Sequence, residues 1–188
     1  MSYRRLLVAL LSMVAAQPAF AQGYLEWRFG MSPDEVAAVE AYSPYTPIGD
    51  GDLETANGRF EGRPINVSFH FTDTGMEKVQ IWLCEEATED EALRAWAAAE
   101  AHIRGRFGAT EARGLGLDTV ASQEQLLAAA RRWLGAAPSQ EMLKLQLGPK
   151  TMPDEAIVFS SLLRHPQHGY FVFLYYRRPA NLGDTPDS

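Results

Sequence analysis

One cysteine in 188 residues, Cys84, rules out a disulfide within the chain. Cys84 ends an apolar strand and reads as a small buried hydrophobe, with an intermolecular bridge or a reactive thiol as the alternatives. Gly-x-Ser-x-Gly, His-Glu-x-x-His, Ser-x-x-Lys and a glycine-rich phosphate loop are all missing. The local signatures of serine, zinc and nucleotide chemistry are therefore absent. Basic residues are few: 17 Lys and Arg stand against 24 Asp and Glu, a net charge of −7, with no Lys/Arg cluster. Such a surface repels phosphate backbones and anionic membranes, which sets nucleic acid aside as a partner. The longest apolar run, Leu6 to Ala16, is well short of the roughly 20 residues that cross a bilayer.

That run nevertheless has a meaning. Arg4 and Arg5 precede it, Pro18 breaks it, and Ala19-Phe20-Ala21 gives the small-x-small pattern that a signal peptidase accepts. Residues 1–21 are expected to be a cleaved signal peptide, which places the protein in the periplasm or outside the cell. No cysteine follows the run, so a lipid anchor is not expected. Cleavage removes two arginines, takes the net charge to −9, and leaves 167 residues with no membrane span. That length suits one domain, expected over 22–178, with a polar, disordered tail from 179 to 188.

Helix starts are legible. Ser32-Pro33-Asp34-Glu35, Thr88-Glu89-Asp90-Glu91 and Ser122-Gln123-Glu124-Gln125 each place a hydroxyl three residues before Glu or Gln, the spacing of a capping box. The second helix is expected from Glu89 to Phe107, stopped by Gly108, and the third to Leu134, stopped by Gly135. Ile65, Val67, Phe69 and Phe71 alternate with polar residues, as do Val79, Ile81 and Leu83, around a hairpin loop at Asp73-Thr74-Gly75. The register pairs Phe69 with Val79 and Val67 with Ile81 on one face. A strand near 53–60 precedes them, with Ala56 and Phe60 inward. Three more follow: Leu143 to Leu147, and 156–163 and 170–176, the last two apolar on both faces and expected to be covered on both. The fold class is α+β: about six strands in antiparallel meanders packed on two to three helices, readable as two helix-plus-three-strand halves.

Phe29-Gly30-Met31-Ser32-Pro33-Asp34-Glu35-Val36 resembles the helix-opening motif of small bacterial envelope proteins of the BamE and β-lactamase-inhibitor-protein-like type. The resemblance covers residues 29–83 and implies a helical segment followed by a three-stranded meander in a non-catalytic scaffold or binding protein. Tyr42-Ser43-Pro44-Tyr45-Thr46-Pro47 departs from that pattern, and no functional residue carries over.

Candidate sites are few. His165-x-x-His168 lies in a loop between Pro166 and Gly169 without a third ligand nearby, and Asp50-Gly51-Asp52 has Thr55 where a calcium loop needs glycine. No metal or cofactor is expected. The opposite face of the first meander carries Asn66, Ser68, His70, Gln80 and Trp82, a polar surface with one large aromatic that suits contact with a peptide, a glycan or another envelope protein. These five are the expected binding residues; no catalytic residue is assigned. A non-enzymatic accessory or binding protein is the preferred reading. An envelope hydrolase with a site assembled only in three dimensions and a structural subunit with an apolar patch near Phe171, Phe173 and Tyr175 are its rivals.

Overall fold

The computed structural model describes residues 23–138 and 140–179. The expected signal segment and, apart from Pro179, the expected tail lie outside the described residues. A small hairpin of β1 (Gly23–Tyr24) and β2 (Trp27–Arg28) leads to α1 (Pro33–Ala37) and a 3-10 turn at Glu40–Tyr42. Then come β3 (Thr46–Ile48), β4 (Asp52–Phe60), β5 (Arg63–Thr72) and β6 (Gly75–Ala87). Helix α2 (Glu89–Phe107), β7 (Thr110–Glu111) and α3 (Gln123–Ala136) precede β8 (Leu143–Pro149), β9 (Ile157–His165) and β10 (Gly169–Arg177).

The expectation of about six strands in two halves is overturned. Strands β3 to β10 make one antiparallel sheet of eight, in the order β3-β4-β5-β6-β10-β9-β8-β7. The chain is more β-rich than its sequence pattern indicated because β3 and β7 are too short to show an alternation. The two meanders fuse because the last strand returns to pair with β6, matching Leu174 to Ile81 and Tyr176 to Val79.

Within the first meander the expected register holds: Val67 faces Ile81, Ser68 faces Gln80, Phe69 faces Val79 and His70 faces Lys78. The turn is tighter than expected, with Thr72 opposite Gly75, because an irregularity between His70 and Phe71 absorbs one residue. Gly75 takes φ +94°, and a Cβ there would lie 2.3 Å from the Gly30 carbonyl oxygen, so only glycine fits. A second irregularity lies in β4, between Thr55 opposite Val67 and Gly58 opposite Ile65. It shifts the alternation by one, so Ala56 is exposed while Leu53, Thr55, Gly58 and Phe60 are buried. That reverses the inward placement expected of Ala56.

One face of the sheet is covered. Val67, Phe69, Val79, Ile81, Leu162 and Leu174 present a continuous apolar surface to Leu93, Trp96 and Ile103 of α2 and, beyond them, Leu126 and Leu134 of α3. The N-terminal segment extends this cover: Trp27 sits 4.7 Å from the Phe69 ring, and Tyr24 sits 5.2 Å from that of Tyr176.

The caps that start the helices are made as the sequence spells them. Ser32 Oγ accepts from the Glu35 amide while the Glu35 carboxylate accepts from the Ser32 amide, and Thr88 and Glu91 repeat the exchange. At α3 only half forms: Ser122 accepts from the Gln125 amide, but the Gln125 side chain accepts from Ala121 instead. The C-terminus of α3 passes through Gly135 because its capping donor comes from elsewhere. Arg164 of β9 reaches across to the carbonyls of Leu134, Pro138 and Glu141 and satisfies them from the side. A second buried charge, Glu100, accepts from Arg104 at 2.7 Å and from the Thr110 hydroxyl at 2.6 Å, which ties α2 to β7.

Phe69 is fully buried between Trp27 and Tyr45. Phe69→Ala is expected to lower stability by about 3–5 kcal/mol, read from denaturant melts; an unchanged midpoint would mean that the sheet faces are assigned backwards.

Candidate functional site

Among the described residues the other face of the sheet carries no helix: the helices and the N-terminal hairpin that pack on β6, β9 and β10 all lie on the covered side. Strict alternation places the expected binding residues together on this open face. Ser68 pairs with Gln80 and His70 with Lys78; Asn66 and Trp82 follow by alternation on the same face, but the ladder ends at Val67 and Ile81 and they are not paired. The expectation that 156–163 and 170–176 are covered on both faces is corrected, because their second apolar set, Phe159, Leu163, Phe171, Phe173 and Tyr175, lies here without a covering element among the described residues.

The pairing of β6 with β10 sets Phe173 opposite Trp82 and Tyr175 opposite Gln80. The surface is therefore not polar with one aromatic, but polar along β4 and β5 and aromatic along β6, β10 and β9. Trp82 meets Phe173 edge-on at 4.8 Å, Phe173 lies 5.8 Å from Tyr175, and Tyr175 stacks on Phe159 at 4.7 Å. Phe171 stacks on Phe173 at the other end. Phe173 is only 8% exposed yet lies outside the apolar core cluster, so its neighbours on the open face bury it.

The polar groups within this face are largely spoken for. Trp82 Nε1 donates to Ser68 Oγ at 2.8 Å, and Gln146 donates to Ser161 Oγ. His70 Nδ1 lies 2.6 Å from the Asp52 carboxylate, which also accepts from the Phe71 amide. What remains to a partner is a row of ring edges and faces with the Tyr175 hydroxyl and the Gln80 amide among them, and Lys78, Arg177, Glu54 and Lys144 around it. In the Tyr42–Pro47 segment, Tyr42 is buried against Trp27, and Tyr45 accepts from the Trp27 indole.

A second feature was not visible in the sequence. Strands β5 and β6 are paired only from Val67 and Ile81 to the turn. Beyond that point β5 stays with β4, pairing Ile65 with Gly58 and Arg63 with Phe60, while β6 runs on to Ala87 beside β10. The sheet forks there, and a cleft of about 910 Å³ opens between the two strands and α2. Cys84 lines it rather than sharing the open face with His70 as strict alternation implied. A bulge at Leu83 moves Cys84 opposite Val172, whose side chain is in the core. Burial pushes its thiol up to about 11, so at neutral pH it is protonated and a poor nucleophile.

The hairpin end that walls this cleft is fastened to α2. Phe60 lies 5.1 Å from the His102 ring, and His102 Nδ1 donates to Glu61 at 2.8 Å. Its Nε2 accepts from the Tyr176 hydroxyl at 2.9 Å. The Glu61–His102–Tyr176 chain has the connectivity of a catalytic relay, but its hydroxyl belongs to a side chain 1% exposed, and burial pushes that phenol up to about 12. The phenol end is enclosed while Glu61 is exposed, so the chain ties the β4–β5 hairpin to α2 and β10 as a latch.

Among the described residues no group of three or more His, Cys, Asp or Glu side chains could hold a metal ion, and no helix is long and apolar enough to cross a membrane. No family model, curated protein or solved structure matches the chain.

His70 and His102, both half-buried, are held neutral. Burial, and secondarily Lys78, lowers the affinity of His70 for a proton against the opposing pull of Asp52, and its Nε2 is buried without a partner. Burial does the same at His102, aided by Arg106 and opposed by Glu61. Both pKa values thus fall below the ordinary 6.5, so the unfolded chain binds more protons than the native one just below that pH. Stability is expected to be full above about pH 6.5 and to decline as the pH drops through that value. Melts at stepped pH should show a shallower decline for the double variant His70→Asn, His102→Asn; an unchanged slope would refute the assignment.

Proposed function

We propose that the protein is an exported, non-enzymatic binding protein of the bacterial envelope, and that it contacts another protein through the open face of its sheet. The observation that carries this reading is the aromatic row of Trp82, Phe173, Tyr175 and Phe159, left without a covering element among the described residues and bordered by charged strands. An apolar centre within a polar rim is the anatomy of a protein–protein contact. Trp and Tyr at such a centre contribute the most binding energy per residue.

The partner class follows from which groups are free. A glycan needs donors and acceptors beside the ring on which it stacks. Here Ser68 and Ser161 are buried and engaged by Trp82 and Gln146. Ring edges with aliphatic Leu163 beside them suit the apolar side chains of a protein better than a polyhydroxyl ligand. An enzymatic role has less support, since the thiol is protonated and the His102-centred relay ends on a buried phenol. The helix-opening motif at Phe29 to Val36 points the same way without assigning a residue. Export rests on the leader at 1–21.

A photo-crosslinking residue placed at Phe171 should give a discrete protein adduct in the native envelope fraction, and the isolated protein should begin at Gln22. The adduct should disappear when Tyr175→Asp is added and should not form from the same probe at Arg132, on exposed α3. A second copy of the chain in the adduct would make the partner a homodimer. No adduct, or equal adducts from both positions, would refute the open face as the contact surface.

A further inference from the structure

The fork between β5 and β6 is a second and separate feature, and three observations define it. First, the end of β6 from Leu83 to Ala87 pairs with β10 on one side only at Cys84 and Ala87, with an irregularity before each and Glu86 at φ +47°, and among the described residues no strand lies beside it on the other. A strand edge of this kind offers a row of main-chain donors and acceptors, which one more extended chain satisfies. The facing stretch of β5 is a poorer template, because Pro64 lacks the N–H.

Second, the fork is built rather than frayed. The irregularity in β4 bends the β4–β5 hairpin away from β6. Gly58 permits it: a Cβ there would lie 2.3 Å from Val67 Cγ2 and 2.9 Å from the Ile65 carbonyl oxygen. The latch of Phe60 and Glu61 on His102 then holds the hairpin end over α2. Across the gap a long contact links the strands, from the Asn66 amide to the Glu85 carboxylate at 3.4 Å.

Third, the walls have a defined chemistry. Leu83, Cys84, Ala95 and Ala98 form an apolar floor, while Glu85 and Glu86 stand exposed on the open strand. With Glu61 and Glu91 the cleft holds four carboxylates against two guanidiniums, Arg63 and Arg94. Its volume of about 910 Å³ lies in the range of ligand-binding sites, roughly 300–1,000 Å³.

We propose that this cleft takes an extended peptide segment of another protein, about five residues long, as an added strand antiparallel to the end of β6. Main-chain hydrogen bonds to Leu83–Glu85, ahead of the left-handed Glu86, would anchor its centre. Alternate side chains would enter the apolar floor, and a Lys or Arg would meet Glu85 or Glu86. The site is independent of the open sheet face, so either can fail without the other.

The test uses random eight-residue peptides displayed on phage and selected against the purified protein, with the most enriched sequence then synthesised. Enriched peptides should be free of proline at their centre, alternate apolar residues, and carry Lys or Arg. Adding the peptide should slow amide exchange at Leu83–Glu85 at least tenfold. Methylating alternate peptide nitrogens should weaken binding at least tenfold, as should Ala95→Trp, which fills the floor. Glu85→Lys with Glu86→Lys, on the exposed strand end, gives the same loss where Ala95→Trp fails to fold. Arg132→Asp, on the exposed side of α3, should leave binding unchanged. No enriched peptide, binding indifferent to the cleft variants, or unaltered exchange at Leu83–Glu85 would overturn the proposal.

Discussion

The antiparallel pairing of β6 with β10 is the constraint on which the rest of the molecule depends. Without it the two meanders would each have an exposed edge, a weak and aggregation-prone arrangement. With it, Val79 and Ile81 continue into Tyr176 and Leu174, and one apolar surface becomes wide enough for α2, α3 and the N-terminal hairpin together. The same seam fixes what lies behind. Because side chains alternate, joining the core rows of β6 and β10 also joins Trp82 to Phe173 and Gln80 to Tyr175 on the opposite face. The aromatic row is a direct consequence of closing the core.

Local rules explain what the sequence made legible. Capping boxes at Ser32 and Thr88 and the stripe of Leu93, Trp96 and Ile103 located the helices, because cap and stripe are encoded within a few residues. The β5–β6 register was legible because one short turn sets it. Asn66, Ser68, His70, Gln80 and Trp82 do share a face for the same reason. The second half of that surface was not legible. Phe171, Phe173 and Tyr175 join it through a pairing across more than 80 residues, and nothing local signals which strand a returning chain will choose. Single-residue irregularities escaped too. Each shifts the alternation by one, turning Ala56 outward and Cys84 toward the covered side, and neither leaves a trace in an apolar–polar pattern.

The ionisable groups that resemble catalytic machinery have structural work instead. Glu100 and Arg164 are nearly buried and are spent on Arg104, Thr110 and the end of α3. His102 joins Glu61 to Tyr176 and holds the β4–β5 hairpin end in place. Desolvation keeps His70, His102 and Cys84 neutral at pH 7, so these groups hold the molecule together without presenting a reactive charge. Among the described residues, an aromatic surface and an unpaired strand end face outward.

Residue-resolved amide hydrogen exchange on the native protein tests the central claim most directly. If the seam makes one sheet, amides of β6 and β10 facing each other are the slowest in the molecule and open together, with a single free energy equal to that of global unfolding. Exchange of β4–β6 at one free energy and β8–β10 at another, lower one would mean that the meanders are separate units. The fused sheet, and the surface it creates, would then be wrong.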